Sequence, residues 1–225
     1  MNASAGIPIV VIGAGGHGRE IVDAVLSAVA AGEPWRLLGV LDDGPADEAL
    51  LRPLGVPWLG PVSLLVEIDT QYIVGIGDGA ARRRIDHLAT GAGRTAATVR
   101  HPSSSVARTA VVDDGSYIGA QAVVMADAAL GRHVHIDVGA SVAHDCRVGD
   151  YSGLAPGARL GGGVVLEEGV FVGLNSCVRP RQRIGEWAIL GAGATAVADL
   201  PAASVCVGTP ARPLRMGTAG GRRRR

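Results

Sequence analysis

The sequence contains no lysine. All 21 of its basic residues are arginine, and 21 acidic residues balance them to a formal charge of zero. Without a side-chain primary amine there is no Schiff-base chemistry, no pyridoxal phosphate anchor and no Walker-A phosphate loop. Aromatics are nearly as scarce: one Phe, three Tyr and three Trp in 225 residues, too few for platforms that stack nucleic-acid bases. Zero net charge likewise excludes the broad basic footprint of a nucleic-acid binder. The three cysteines, Cys146, Cys177 and Cys206, are odd in number and widely spaced. They form neither a zinc motif nor a disulfide framework, so a reducing, cytoplasmic setting is expected. No run of 18 uninterrupted apolar residues occurs, so no membrane span is expected, and the N-terminus lacks the basic region of a secretory leader. Glycine is plentiful instead, at 34 residues, about twice its usual share. With 48% apolar and 19% charged residues, the chain can build a packed core.

From Val106 onward every sixth residue is aliphatic. The series runs Val106, Val112, Ile118 and on to Ala196 without a slip, and fifteen of its sixteen members are Val, Ile or Leu. Four places after each stands a second series, from Ala110 and Ser116 to Ala194, in which all but Gln182 are small or β-branched. Glycine directly follows the aliphatic position seven times, as at Gly119, Gly149 and Gly173. A period of six fits neither a helix nor a plain alternating strand. It fits a parallel β-helix in which each flat face takes one hexapeptide and three faces make an 18-residue coil. Stacked coils bury a continuous aliphatic ladder, glycines are expected to turn the corners, and a narrow prism has little room for rings. The pattern resembles the left-handed β-helix hexapeptide acyltransferases. That resemblance implies a homotrimer with the acyl-donor site between adjacent prisms.

The first hundred residues follow another logic. Ile9–Ile12 reads as a buried strand, Gly13-Ala14-Gly15-Gly16-His17-Gly18 as a turn, and Arg19 to Ala31 as an amphipathic helix. Gly13, Gly15 and Gly18 match G-x-G-x-x-G in a strand–turn–helix setting, where glycines admit a phosphate to the backbone and the helix start offers free N–H groups. A second strand, Leu37 to Leu41, ends in Asp42-Asp43, where a ribose or base would lie. A third, Tyr72 to Ile76, leads into Gly77-Asp78-Gly79 and a helix bearing Arg82, Arg83 and Arg84, and a last strand is expected near Thr95 to Val99. This is half of a dinucleotide-binding fold, sized for a mononucleotide or a nucleotide joined to something else. The expected architecture is therefore an α/β half-Rossmann unit over 1–100, a β-helix over 101–215 and a disordered arginine-rich tail over 216–225.

Read whole, from about Ile7 to Met216, the chain resembles the amino-sugar acetyltransferases of the bacillosamine pathway and the related sialic-acid O-acetyltransferases. It carries their opening glycine–histidine turn, the Asp pair, the glycine turn after the third strand, the prism and the closing Gly208-Thr209-Pro210-Ala211-Arg212. The resemblance implies a nucleotide sugar held by Gly15, Gly16 and His17, with Asp42, Asp43 and Gly77 near the nucleoside. Arg82 is a candidate phosphate partner, with a solvated helix face as its alternative.

Among six histidines, His144 stands out. It lies in Val142-Ala143-His144-Asp145, just before a prism corner, and so projects outward. The resemblance makes it the catalytic base, with Asp145 as its carboxylate. An amine or hydroxyl attacking a thioester must lose a proton, and imidazole titrates near neutrality. A carboxylate on the other ring nitrogen fixes the tautomer. Asp137 is a further orienting or substrate contact. Gly161-Gly162-Gly163 is the best turn for an oxyanion-stabilising N–H, and the resemblance favours Gly162. It also implies acetyl-CoA along Gly173, Leu174 and Ala192. Gly153 stands where the amino-sugar enzymes carry a second histidine against the donor, so a larger acyl group is conceivable. His133 and His135 flank interior Val134 and point outward; a single His-x-His pair without a third ligand does not make a metal site, so both are assigned to surface or interface, and no metal is expected. With no lysine available, CoA or diphosphate charges must meet arginine: Arg82, Arg179, Arg181 or Arg183.

The expected activity is therefore acetyl transfer to the amino group of a UDP- or dTDP-linked amino-deoxy sugar. O-acetylation of a sialic acid or another sugar hydroxyl is the alternative within the class. A nicotinamide-dependent oxidoreductase and a non-catalytic, trimeric nucleotide-sugar-binding scaffold are the alternatives outside it. No nucleic-acid or membrane partner is expected.

Overall fold

The computed structural model describes residues 6–216; nearly all of the expected arginine-rich tail lies outside the described residues. The first part comprises β1 (Ile7–Ile12), α1 (Gly16–Ala30), β2 (Trp35–Leu41), α2 (Glu48–Leu51), β3 (Trp58–Gly60), β4 (Gln71–Val74) and α3 (Gly79–Gly91). The strands form one parallel sheet in the order β3-β2-β1-β4. Parallel strands covered on both faces read as continuous apolar runs, and Ile9 to Ile12 are fully buried. Ile9 and Val11 pack with Ile21, Val22 and Val25 of α1, while Val10 and Ile12 pack with Leu65 and Ala89 on the other layer.

The glycine turn separates into two jobs. Gly13 has a φ of +110°, and Gly18 lies so close to it that an added Cβ would stand 2.0 Å from the Gly13 carbonyl oxygen. Those two serve the packing of α1 on β1. Gly15 and Gly16 are exposed, and a Cβ on either would meet nothing within 4 Å. The helix begins at Gly16, three residues before the expected Arg19, with Gly15 as its N-cap.

One expectation is refined, and one strand is new. The last strand expected near 95–99 is split: Ala96 bridges Tyr72 of β4, with the Tyr72 N–H donating to the Thr95 carbonyl and the Ala97 N–H to that of Tyr72, while Val99–Arg100 pairs with Tyr117–Ile118 as the first rung of the prism. The edge strand β3 has no signature in the sequence, because three residues beside Pro57 leave no period to detect.

The prism has three parallel sheets whose rungs stack 18 residues apart. From Ile118 onward the inner residues are sealed: Ile118, Ile136, Leu154, Val172 and Leu190 are fully buried on one face, while Val106 and Val112 of the first coil are only partly covered. The faces are designated here by their outward residues Tyr117 (eight strands), Ser141 (six) and Arg147 (five). An antiparallel hairpin, Ser204–Val207 with Arg212–Met216, ends the Tyr117 face.

The expected role of the glycines holds at some corners, Gly115, Gly139 and Gly157 among them, and is corrected for those directly after the aliphatics. Positive φ falls three residues after each interior aliphatic from Val112 to Leu190, at Gly115, Gly139 and Gly157 but also at His133, Asp145 and Tyr151. The glycines directly after the aliphatics answer to crowding: a Cβ on Gly173 would stand 2.7 Å from the Leu190 carbonyl oxygen of the next coil.

Candidate active site

His144 sits at the corner between the Ser141 and Arg147 faces, and its side chain is 67% exposed. Its Nδ1 lies 2.7 Å from Asp145 Oδ2. The left-handed backbone of Asp145 (φ 60°) belongs to the corner, so the bend of the prism itself sets the carboxylate beside the ring. With Nδ1–H donated to Asp145, Nε2 is the free, basic nitrogen. The imidazole lies over Gly162 of the next coil, where an added Cβ would stand 2.6 Å from both Cε1 and Nε2. The Gly161 and Gly163 amides are committed, to the Val178 and His144 carbonyls, while the Gly162 N–H makes no such backbone bond among the described residues. An imidazole, a carboxylate and an uncommitted amide thus share one exposed corner.

A second constellation lies at the corner between the Tyr117 and Ser141 faces. There a cleft of about 670 Å³ opens between α1 and the prism, touching the glycine turn at Gly16 and the prism at Asp137. His17 spans the gap: its Nδ1 is 3.0 Å from Glu20 Oε2 and its Nε2 is 3.0 Å from His135 Nδ1. Burial, with the Arg82 charge, holds His135 neutral, well below the ordinary imidazole range. Burial also pushes the Asp137 carboxyl up to about 6, opposed by His17 and reinforced by Glu20. Glu20, Asp23 and Asp137 line the cleft against a single arginine, Arg19. Gly77 is exposed, with nothing within 4 Å of an added Cβ.

A raised folded pKa means that Asp137 costs stability once ionised: the contribution present below about pH 4 is lost as pH rises through about 6. Asp137→Asn is therefore expected to stabilise the protein at pH 8, by at most about 3 kcal/mol, and to change little at pH 4. Thermal unfolding at the two pH values checks this; an equal shift at both would count against it.

Several expected site residues are placed elsewhere. Arg82 is 1% exposed, and its guanidinium donates to five backbone carbonyls. It has no donor left for a phosphate and is no solvated face. Both oxygens of Asp42 accept backbone amides, from Ala14 at 2.7 Å and Gly44 at 2.8 Å, and Asp43 Oδ1 accepts from Val62. The Asp pair therefore shapes the loops around the turn, and Asp43 remains exposed. His133 and His135 do not point to a common ligand. His133 is fully buried between the rings of Tyr72 and Tyr151, 3.0 Å from Asp86 Oδ1, whereas His135 turns to His17. Arg183 is paired with Glu167, leaving Arg179 and Arg181 exposed.

The Asp86 cluster was not anticipated. The Asp86 carboxylate, carried by α3, accepts from Tyr72 (2.9 Å), Tyr151 (2.6 Å) and Arg132 (2.8 Å). Burial alone would raise its pKa, but the bonds from His133, Tyr151 and Arg132 outweigh it and hold the carboxyl well below the usual range. Tyr72 and Asp86 come from the α/β unit, Arg132, His133 and Tyr151 from the prism. A signal was present: Arg82, Asp86 and Ala89 stand at i, i+4 and i+7, one stripe of α3, and Ala89 marks that stripe as inward-facing.

Residues 8–87 match the model of the PglD N-terminal domain. GDP-perosamine N-acetyltransferase of Escherichia coli O157:H7 is 28% identical over 91% of this chain and 95% of its own. The acetyltransferase domain of PglB from Neisseria gonorrhoeae, solved with acetyl coenzyme A, is 30% identical with a TM-score of 0.82, covering 93% of this chain and all of that one. PerB from Caulobacter crescentus, solved with CoA and GDP-perosamine, is 32% identical with a TM-score of 0.84, covering 92% of this chain and 96% of its own. The chain belongs to the hexapeptide-repeat sugar N-acetyltransferase family.

Within this acyltransferase, the residues expected along the donor divide by exposure. Leu174 and Ala192 stand exposed one above the other, 18 residues apart, and Gly173 is buried beneath them for coil packing. Gly153 is corrected: it is buried on the Tyr117 face, where an added Cβ would lie 3.5 Å from the Phe171 ring and 3.7 Å from Arg82 Nη2. It offers a donor no exposed surface, because the α/β unit covers that part of the face.

Proposed function

We propose that the protein transfers an acetyl group from acetyl-CoA to the amine of a nucleotide-linked amino-deoxy sugar. The observation that carries this reading is the His144–Asp145 pair lying over Gly162 at an exposed corner. The amine nitrogen attacks the thioester carbonyl carbon and forms the C–N bond. Its proton passes to His144 Nε2, Asp145 stabilises the imidazolium, and the Gly162 N–H receives the oxyanion. Collapse breaks the C–S bond, and His144 returns the proton to the leaving CoA thiolate. The exposure of His144 supports a homotrimer of left-handed prisms in which the acceptor, held at Gly15, Gly16, His17 and Gly77 with Asp137 toward the sugar, meets the corner of a neighbour. Leu174, Ala192, Arg179 and Arg181 then serve the donor.

The cleft's excess of carboxylates supports a cationic amino sugar over a sialic acid, whose own carboxylate they would repel. The names of the relatives put GDP beside UDP and dTDP as nucleotides to test. Release of CoA thiol, followed with a thiol reagent against UDP-, dTDP- and GDP-linked 4-amino-deoxy sugars and free sialic acid, is expected with at least one amino sugar and not with sialic acid. Thiol release with sialic acid alone would make the enzyme an O-acetyltransferase. No release with any acceptor would remove the reading.

A further inference from the structure

Arg82 commits every donor it has. Nε donates to the His133 carbonyl at 3.0 Å. Nη1 donates to those of Ile76 at 3.0 Å and Gly77 at 2.9 Å, and Nη2 to those of Tyr151 at 2.6 Å and Ser152 at 3.1 Å. A guanidinium has five N–H donors in a rigid planar fork, and here five carbonyls from two structural units meet them. Two belong to the turn after β4 in the α/β unit, and three to two successive coils of the prism. Beside them the units touch backbone to backbone: a Cβ on Gly79 would stand 2.5 Å from the Tyr151 carbonyl oxygen. An arginine kept for an ion pair would face a carboxylate. This one faces only main-chain oxygens, whose positions the two folds fix.

We infer that Arg82 is a positioning residue for the transfer, registering the Ile76–Gly77 turn against the prism so that the acceptor's nucleotide end and the acetyl-transfer corner keep a fixed geometry. The inference rests on the reading that the nucleotide lies against Gly77. Geometry of this kind acts on rate, since small misplacements of bound reactants cost large factors. A lysine cannot substitute, having three donors on one nitrogen against a five-point cradle.

The test compares wild type with Arg82→Lys and Arg82→Met, using the amino-sugar nucleotide that the wild type turns over and the same amino sugar without its nucleotide. The expected result is a loss of tenfold or more in kcat for the nucleotide-linked acceptor, with the KM for acetyl-CoA and the slow rate on the nucleotide-free sugar unchanged. Equal loss on both acceptors would show a structural role only, and no loss on either would also overturn the proposal. Because the variants can fail to fold, hydrogen exchange on wild-type protein gives a second arm. Binding of GDP, UDP or dTDP is expected to slow exchange at 75–78 and, across Arg82, at 151–153. Protection at 75–78 alone would overturn the proposal. Should the wild type turn over no nucleotide-linked acceptor, the functional reading itself falls, a result distinct from either of these.

Discussion

His144→Ala is expected to lower kcat by about 10²- to 10⁴-fold, the range that a positioned general base contributes, while leaving the melting temperature within a degree or two. The pair is exposed, with His144 67% and Asp145 63% accessible, and exposed ion pairs contribute little to stability. Loss of rate without loss of fold therefore separates chemistry from scaffold. Asp145→Asn should fall in the same direction by a smaller factor, because an amide can hold the ring with the wrong nitrogen protonated. Initial rates of CoA release and a thermal melt, taken on one preparation, check both. Unchanged rates in His144→Ala would remove its role as base.

Asp86→Ala is expected to destabilise the protein by about 3–5 kcal/mol, the usual result of removing one partner from a buried charged network. The side chain of Asp86 is 4% exposed. Without it, the phenols of Tyr72 and Tyr151 and the fully buried His133 ring lose their shared acceptor, and Arg132 loses its closer carboxylate. The pH dependence runs opposite to that of Asp137. A carboxyl held well below its ordinary range supplies stability that is full above about pH 4 and is lost progressively as pH falls from there toward the group's own depressed value. Urea midpoints for wild type and Asp86→Ala at pH 7 and pH 2 should therefore draw closer at the lower pH. A constant gap would show that the cluster acts through packing, not through charge.

The two halves of the chain were unequally legible. In the prism, a period of six assigns every residue to the interior, a face or a corner. His144, Asp145 and Gly162 thus fall at one exposed corner on spacing alone, with His144 and Gly162 in register one coil apart. The same argument failed for His133 and His135. It put both outside the prism, which is true, but the α/β unit lies over that part of the Tyr117 face and buries them. Arg82 failed for a related reason. Three consecutive arginines suggest a solvated surface, and only the inward stripe shared with Asp86 and Ala89 distinguishes the first of them. Among the turn glycines, motif matching could not say that Gly13 and Gly18 serve packing while Gly15 and Gly16 border open space.

The sequence by itself determined the prism, its inner ladder, the strand–turn–helix opening and the corner histidine with its carboxylate. Each is a local or strictly periodic feature, and its spacing is written along the chain. The tertiary structure alone decided which polar residues remain free for chemistry. Arg82, Asp42, Arg183 and His133 are spent on carbonyls, amides, a glutamate and a buried carboxylate, most of which lie far away in sequence or in the other unit. Periodicity gives the direction in which a side chain leaves its own backbone, whereas its availability depends on what another segment brings to meet it.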